Sequence, residues 1–251
     1  MKSFVICILP VKLYLFLRRL SLRIFCNRYY NELQEMRKII TSDGYSYKSF
    51  DDRKAIFIHI PKCAGISINK ALFGNLAGGH KGLDDYILVF GAKDFTRYFK
   101  FTFVRNPWDR LVSAYFFLKN GGLNRWDKQF FEVELAHYQD FGEFVRCWLN
   151  EKNIYKFHHF KPQISFLTDK YNKVSIDYVG YFENIDADFK YIARRIGVDV
   201  TLNKENSVTR QNYQEFYDSD TKDIVARVYR EDIKLFNYNF DGVYEYRRDL
   251  S

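Results

Sequence analysis

The sequence lacks the cysteine patterns that mark two common classes of protein. Its four cysteines, Cys7, Cys26, Cys63 and Cys147, lie far apart and follow neither a disulfide framework nor the paired spacing of a zinc finger. A reducing compartment therefore suits the chain better than secretion. Nucleic-acid signatures such as a basic zipper are missing as well. The net charge of +8 still indicates an anionic partner, and we expect a polyanionic glycan or an anionic membrane surface before nucleic acid.

Two further absences narrow the choice of fold. The phosphate-loop signature G-x-x-x-x-G-K-[ST] does not occur, and the chain contains neither an internal repeat nor a low-complexity tract. With 251 residues, of which 47% are hydrophobic, the chain can bury the core of a single α/β domain with appended helices. Aromatic residues make up 19% of the sequence, and we expect most rings to pack in the core and in pocket walls.

No apolar run is long enough to cross a lipid bilayer, which takes about 20 residues. Residues 3–17 are apolar apart from Ser3 and Lys12, and four arginines follow within residues 18–28. Because no small-residue cleavage site is evident, we expect residues 1–28 to form an uncleaved membrane anchor, either interfacial or marginally spanning. The excess of positive charge after the apolar run places the body of the protein on the cytoplasmic side. The alternative is a buried amphipathic helix in a soluble cytoplasmic protein.

The most informative segment is residues 55–68, AIFIHIPKCAGISI. Residues 55–60 predict a short buried strand, the small residues after Pro61 predict a turn, and the apolar spacing in residues 66–72 predicts a helix. A strand that turns directly into a helix leaves the first helical N–H groups unpaired and facing outward. With Lys62 beside them, these groups predict a binding site for a phosphate-like anion.

A second segment, residues 101–118, repeats this order of elements with the sequence FTFVRNPWDRLVSAYFFL. Its strand ends at Arg105, a turn follows at Asn106, and Pro107 suits the first helical turn because it lacks the N–H that would be unpaired there. Ser113 lies eight residues after Arg105, and together the guanidinium and the hydroxyl can bind a second phosphate. Two anion sites at neighbouring strand ends suit a nucleotide that carries phosphates at both ends of its ribose.

The rest of the sequence alternates strand and helix patterns. Residues 176–183 predict a further strand, residues 186–197 predict a helix that a glycine ends, and residues 220–236 show helical spacing. Residues 29–53 are polar and predict a connector. Strands that alternate with helices indicate a mainly parallel sheet, in which ligands bind beyond the carboxyl ends of the strands.

Taken together, IHIPKCAGISI and FVRNPWDRLVSAY resemble the sulfotransferase family that includes carbohydrate sulfotransferases such as the heparan-sulfate O-sulfotransferases. The resemblance extends over about residues 54–240. It implies an α/β fold, a P-loop-like three-layer sandwich with a mainly parallel sheet flanked by helices, and a sulfotransferase domain at residues 54–245. It also implies 3′-phosphoadenosine 5′-phosphosulfate (PAPS) as co-substrate, with in-line transfer of its sulfuryl group to a carbohydrate hydroxyl.

The resemblance assigns roles to residues of both segments. The second segment holds the 3′-phosphate of PAPS, here through Arg105 and Ser113, and a late basic loop with Arg210 can close over that phosphate. Tyr181 stands where relatives often have arginine. The first segment cradles the 5′-phosphosulfate, here through Lys62, Cys63, Ala64, Gly65, Ile66, Ser67 and Ile68.

One departure lies within that cradle. Ile66 stands where the family commonly has threonine, which removes one hydroxyl, and Ser67 together with backbone donors can compensate for it. Cys63 lies at a helix start, where a thiolate is conceivable. We favour the simpler interpretation that Cys63 is a small residue filling a tight loop.

Sulfuryl transfer needs stabilisation of the leaving phosphate and a base near the acceptor hydroxyl. We assign Lys62 to the leaving group. Among the five histidines, the resemblance points to His80 as the base, and the adjacent pair His158 and His159 is the second candidate. Glutamate and aspartate residues also stay open as the base. His59 lies within the first strand pattern and suits a core position. No metal is needed in principle, and none is expected.

Two functions from other classes stay open beside the sulfotransferase. One is a phosphotransferase of the P-loop type, which would turn over ATP with magnesium. The other is a nucleotide-binding protein of the same fold that has lost turnover. Acceptor identity depends on the resemblance alone, because fold and nucleotide motifs do not encode it.

Overall fold

The computed structural model describes residues 11–42, 44–169, 174–202 and 212–250 of the chain. The expectations for Cys7, for Arg210 and for the apolar residues 3–10 lie outside the described residues. Within these ranges the chain forms an α/β structure in which helices flank a small parallel sheet.

Three buried strands form the central sheet. They are β1 (Ala55–Ile58), β2 (Phe99–Val104) and β3 (Tyr178–Tyr181), in the order β1-β2-β3. Both neighbouring pairs are parallel, with Ala55 opposite Phe99 and Phe101 opposite Tyr178. The carboxyl ends of all three strands therefore meet at one edge, which is where ligands bind in such sheets. The sheet confirms the predicted α/β fold class.

Helices account for most of the remaining described elements. Their bounds are α1 (Val11–Phe25), α2 (Asn27–Glu35), α3 (Lys48–Arg53), α4 (Gly65–Phe73), α5 (Leu83–Arg97), α6 (Pro107–Lys119), α7 (Arg125–Phe130), α8 (Phe141–Cys147), α9 (Ile164–Leu167), α10 (Ile185–Arg195), α11 (Ser219–Val228) and α12 (Arg230–Leu235). Short helical turns lie at Phe131–Leu135, Asn153–Tyr155, Phe182–Asn184 and Tyr213–Phe216, and β4 (Tyr238–Asn239) pairs antiparallel with β5 (Gly242–Val243).

Aromatic rings fill two apolar clusters, as the composition predicts. One cluster encloses the sheet, where Phe57 stacks on Phe101 with ring centroids 5.0 Å apart. The other lies among α6, α8 and α11, where Tyr115 stacks on Phe144 with centroids 4.9 Å apart. Burial of such rings is the largest apolar contribution that a side chain can make to the stability of a domain.

Two segments differ from the expected elements. Residues 220–236 form α11 and α12 in place of one helix, because the backbone at Tyr229 is non-helical and its hydroxyl donates to the carbonyl oxygen of Phe160 at 2.7 Å. Residues 29–53, predicted as a polar connector, include most of α2 and all of α3. Arg37 fixes this segment through ion pairs with Asp51 at 2.7 Å and Asp94 at 3.0 Å. The helix predicted over residues 186–197 is confirmed, and the left-handed Gly197 follows its end.

The N-terminal helix α1 packs against α5 and α2. No helix among the described residues has the length and apolar character needed to span a membrane. Many of the large apolar side chains of α1 are nevertheless exposed, Phe25 by 81%.

Candidate active site

The loop after β1 has the backbone shape of an anion site. Lys62 and Ala64 both adopt left-handed conformations, with φ of 70° and 60°, and these turn the chain sharply from β1 into α4. No side chain of the described residues caps the N-terminus of α4, and its first turn contains no acidic residue. Its leading N–H groups and the positive end of its dipole are therefore available to an anion, and the anion site stays a prediction.

Gly65 is required at the start of α4 by a close approach of His59. A Cβ atom on Gly65 would lie 1.8 Å from Cδ2 of the His59 ring, so only glycine fits there. His59 is buried, and burial is the largest cause that holds its pKa well below the ordinary histidine value. The neutral His59 ring thus packs against the candidate anion loop (residues 61–65), which agrees with the core position expected for His59.

Of the residues predicted to hold the 5′-phosphosulfate, the three in the first turn of α4 differ in exposure. Ile66 is exposed and Ser67 is half-buried, so both lie where a ligand can reach them. Ile68 is fully buried in the core, and its N–H donates to the carbonyl oxygen of Ala64, so it supports the helix rather than facing a ligand.

Cys63 lies inside the loop with almost no exposure. Its thiol is 3.5 Å from Oε1 of Gln163, and burial raises the pKa of this thiol to about 12. A thiol with so high a pKa is not a thiolate near neutral pH. These contacts support the interpretation of Cys63 as a small residue that fills a tight loop.

The second predicted motif lies directly against the first. Nη1 of Arg105 donates to the carbonyl oxygen of Lys62 at 3.0 Å, and Nε donates to Asp109 at 2.6 Å. The guanidinium also lies over the ring of Phe182, 4.1 Å from its centroid. Ser113 is buried on α6, six residues after its first residue. The structure therefore brings Arg105 to the anion loop, and Ser113 follows on the helix that Arg105 precedes.

A buried glutamine, which sequence reasoning missed as a site residue, joins the two motifs. Gln163 donates through Nε2 to the carbonyl oxygen of Arg105 at 2.8 Å, and its Oε1 accepts from the Arg105 N–H at 2.9 Å. The same Oε1 faces the thiol of Cys63, and the Gln163 N–H donates to buried Asp232 at 2.7 Å. Only the adjacent Pro162 and the preceding histidines hinted at this segment in the sequence.

Four of the five histidines meet in one pocket of about 300 Å³ beside the anion loop. Ring centroids of His80 lie 4.2 Å from His59, 5.1 Å from His158 and 5.9 Å from His159. Ile66 and Phe117 are also in the wall of this pocket, and the ammonium of Lys62 lies 3.7 Å from the Phe117 ring centroid. The backbone of Lys62 thus belongs to the anion loop, and its ammonium lies against the wall of this histidine-lined pocket, the imidazole pocket. His137, the fifth histidine, is exposed elsewhere.

The hydrogen bond of His80 fixes its tautomer. Nδ1 lies 3.1 Å from the carbonyl oxygen of His59, and because a carbonyl oxygen can only accept, Nδ1 carries the proton. Nε2 of the neutral ring is then the basic nitrogen. Burial lowers the pKa of His80 to about 4, so the ring is uncharged near neutral pH.

Asp127 lines the pocket and Arg110 holds the backbone behind it, and neither was identified from the sequence. Oδ1 of Asp127 lies 3.4 Å from Nε2 of His159. Buried Arg110, one helical turn before Ser113 on α6, donates to the carbonyl oxygens of His159 at 3.3 Å and Lys161 at 2.6 Å. An acid and an arginine so distant in sequence from the histidines give no local pattern that could have revealed them.

Tyr181 has a structural position. Its side chain is fully buried, and its hydroxyl accepts from the N–H of Arg247 at 3.0 Å. The neighbouring Glu183 accepts from the N–H of Asn106 at 2.6 Å, and burial raises the pKa of this carboxyl group. These contacts attach β3 to the C-terminal segment and to the start of α6.

A parallel sheet that ends in two linked candidate anion sites, with a histidine-lined pocket beside them, is typical of proteins that transfer a group from an anionic donor. Comparison with known families makes this specific, because the sequence model of the sulfotransferase family matches residues 45–239. The chain belongs to the sulfotransferase family and is a sulfotransferase. This confirms the resemblance at family level and its P-loop-like fold.

One curated relative is similar over part of the chain. An uncharacterised protein of Archaeoglobus fulgidus is 35% identical over 126 residues, which make up 49% of this chain and 89% of that protein. No solved structure matches the chain significantly.

Proposed function

We propose that the protein is a PAPS-dependent sulfotransferase that transfers a sulfuryl group to a hydroxyl of a carbohydrate. The observation that carries the proposal is the position of Lys62. Its backbone belongs to the anion loop, its carbonyl oxygen accepts from Arg105, and its ammonium lies over Phe117 in the wall of the imidazole pocket. One residue thus contacts both candidate anion sites and the pocket.

The residues present fit a nucleotide with two phosphate groups. The uncapped start of α4 and the Lys62 ammonium suit the 5′-phosphosulfate, and Arg105 with Ser113 suits the 3′-phosphate. When bound, PAPS supplies a sulfuryl group that is activated by its bond to a phosphate. The cationic and N–H groups of the loop stabilise the charge that develops on that phosphate as it leaves.

His80 is the base in this proposal. Its basic Nε2 takes the proton of the acceptor hydroxyl while the acceptor oxygen bonds to sulfur, and the bond from sulfur to the bridging oxygen breaks. The products are a sulfate ester and adenosine 3′,5′-bisphosphate. The His59 carbonyl oxygen keeps the proton on Nδ1 and so keeps Nε2 available.

The imidazole pocket supports an acceptor with several hydrogen-bonding groups. Its wall offers the side chains of Tyr45, Asn69 and Asn124 in addition to the histidines, with Phe117 as an aromatic surface. Hydroxyl and amide groups beside an aromatic ring suit a sugar. For this reason we retain a carbohydrate as the proposed acceptor.

A membrane surface is the proposed partner of α1. Exposed apolar side chains and the basic Arg23 lie on this helix, which suits a helix lying in the interface of an anionic cytoplasmic leaflet. The exposed apolar residues are Leu13, Phe16, Leu17, Leu20, Ile24 and Phe25. Co-sedimentation with phosphatidylserine vesicles tests this proposal. Binding should weaken in the double variant Ile24→Ser/Phe25→Ser and persist in Tyr244→Ser, which changes an exposed tyrosine at the C-terminal end of the described chain.

Transfer of labelled sulfate from PAPS to a panel of glycans tests the central proposal. We expect a labelled product with the wild-type protein and with His137→Ala, and none with His80→Ala. Turnover of ATP with magnesium but not of PAPS would favour a phosphotransferase instead. Tight binding of adenosine 3′,5′-bisphosphate without transfer to any acceptor would favour a binding protein that has lost turnover.

A further inference from the structure

Three side chains in the wall of the imidazole pocket have the arrangement of a metal-binding site. Asp127, His158 and His159 each offer one ligand atom, and these atoms all lie within 4.8 Å of one another. Asp127 and His159 are buried, while His158 is half-buried and lines the pocket. We propose that these residues bind a divalent transition-metal ion of the zinc class, with one coordination position open to the pocket.

The spacing of two of the ligands fits zinc coordination. Oδ1 of Asp127 lies 3.4 Å from Nε2 of His159, which is long for a hydrogen bond to a carboxylate. Two ligands of a tetrahedral zinc ion, each about 2.05 Å from the metal, are about 3.4 Å apart. The side chains therefore already have the separation that a shared ion requires.

Surrounding groups hold the acid in place. Oδ2 of Asp127 accepts from the N–H of Leu123 and from Nδ2 of Asn124, both at 2.9 Å, which leaves Oδ1 for a ligand. Gly122 allows this approach, because a Cβ atom there would lie 2.1 Å from Cβ of Asp127. Hydrogen bonds of this kind, from groups that do not themselves contact the metal, orient the side chains that bind it.

The histidine side of the site is also fixed. Arg110 donates to the carbonyl oxygen of His159 at 3.3 Å, so the backbone that carries the two adjacent histidines is attached to α6. Nδ1 of His159 is buried without a hydrogen-bond partner among the described residues. Two imidazoles and one carboxylate select zinc or a related ion over magnesium or calcium, which prefer oxygen ligands.

The position of the site predicts an effect on catalysis, and this part of the inference rests on the proposed function. The His80 ring lies 5.1 Å from the His158 ring, so an ion held by His158 would place its charge and its remaining ligand beside the proposed base. The ion and its remaining ligand would occupy the space beside His80 that the acceptor hydroxyl needs. We therefore expect the ion to inhibit transfer reversibly. The transfer reaction itself needs no metal.

Titration of the chelator-treated full-length protein with Zn²⁺, and with Co²⁺ as a spectroscopic substitute, tests the site without any sulfate donor. We expect one equivalent of ion and the visible absorption bands of tetrahedral Co²⁺. Asp127→Asn, which keeps the size and one acceptor oxygen of the side chain, and His158→Gln should each weaken binding at least tenfold. His137→Gln, which changes an exposed histidine, should bind like the wild type.

The results that would overturn the proposal are equally direct. The proposed site would be contradicted if the wild type bound no ion. It would also be contradicted if both Asp127→Asn and His158→Gln bound the ion as tightly as the wild type. With PAPS and an acceptor, Zn²⁺ should inhibit the wild type, and a chelator should restore activity. Full activity of a zinc-loaded protein would contradict the inhibitory role. Failure of the protein to transfer sulfate at all would contradict the proposed function and leave the metal titration valid.

Discussion

The guanidinium of Arg105 donates a hydrogen bond to the carbonyl oxygen of Lys62 at 3.0 Å, although the two residues are 43 positions apart in the sequence. Each residue belongs to a different strand–turn–helix motif, and β1 and β2 are neighbours in the sheet. The contact joins the two candidate anion sites into one unit.

Replacement of Lys62 tests the charge at this unit. Lys62→Ala removes the ammonium that we assign to the leaving phosphate, and loss of one such group lowers kcat by about 10²- to 10³-fold in other enzymes. We expect a loss of this size in the rate of sulfate transfer, measured at saturating PAPS. Lys70→Ala, which changes an exposed lysine on the same helix α4, should leave the rate unchanged. A normal rate for Lys62→Ala would remove the residue from the mechanism.

The proposed 3′-phosphate site predicts a selective loss of affinity. Arg105→Ala should weaken binding of adenosine 3′,5′-bisphosphate by about 10- to 100-fold, because a hydrogen bond to a charged group contributes roughly 1.5–3 kcal/mol. Binding of AMP should change little. Ser113→Ala should show the same selectivity with a smaller loss.

Calorimetry with both nucleotides measures this selectivity. Arg227→Ala, at an exposed position on α11, serves as the matched control. Because Arg105 is buried and paired with Asp109, thermal unfolding of each variant must accompany the titrations. Equal losses for the two nucleotides in a folded Arg105→Ala protein would contradict the assignment.

A single methyl group at Gly65 should disrupt the anion loop. In Gly65→Ala the new Cβ would overlap the His59 ring at 1.8 Å, and overpacking of this kind costs about 1–3 kcal/mol. We expect a lower unfolding temperature together with weaker nucleotide binding. Gly44→Ala is the control, since the nearest atoms to its new Cβ are at an ordinary 3.5 Å. Wild-type stability and affinity in Gly65→Ala would show that His59 does not determine the loop.

The half-buried position of the proposed base predicts an unusual dependence on pH. Burial lowers the pKa of His80 to about 4, and only its neutral form can accept a proton. Transfer should therefore be independent of protonation of His80 above about pH 5.5 and fall as the pH drops toward 4. This fall is measured as kcat/KM for the acceptor at a series of pH values, with a chelator present. A fall in rate centred near pH 6.5 would indicate an exposed histidine or another base.

Much of the fold was accessible from the sequence because its signals are local. The apolar run before Pro61 and the turn at Asn106 mark β1 and the start of α6, and the amide oxygen of Asn106 accepts from the N–H of Trp108 as a helix cap. The break at Tyr229 was not accessible, since it depends on a contact of its hydroxyl with the distant Phe160.

Some residues of the candidate site could likewise be found from the sequence, whereas others could not. Lys62 and Arg105 follow strands and could be found from their motifs. Gln163, Asp127 and Arg110 act through contacts with residues distant in sequence, such as the bond from Gln163 to Arg105 and the approach of Asp127 to His159. No spacing rule identifies such partners, because only the folded chain brings them together.

Isothermal titration of the purified protein with adenosine 3′,5′-bisphosphate and with AMP tests the central claim most directly. Two joined anion sites predict that the bisphosphate binds at least tenfold more tightly, because only this ligand engages both the loop at Lys62 and the guanidinium of Arg105. Equal affinities for the two nucleotides would contradict the account.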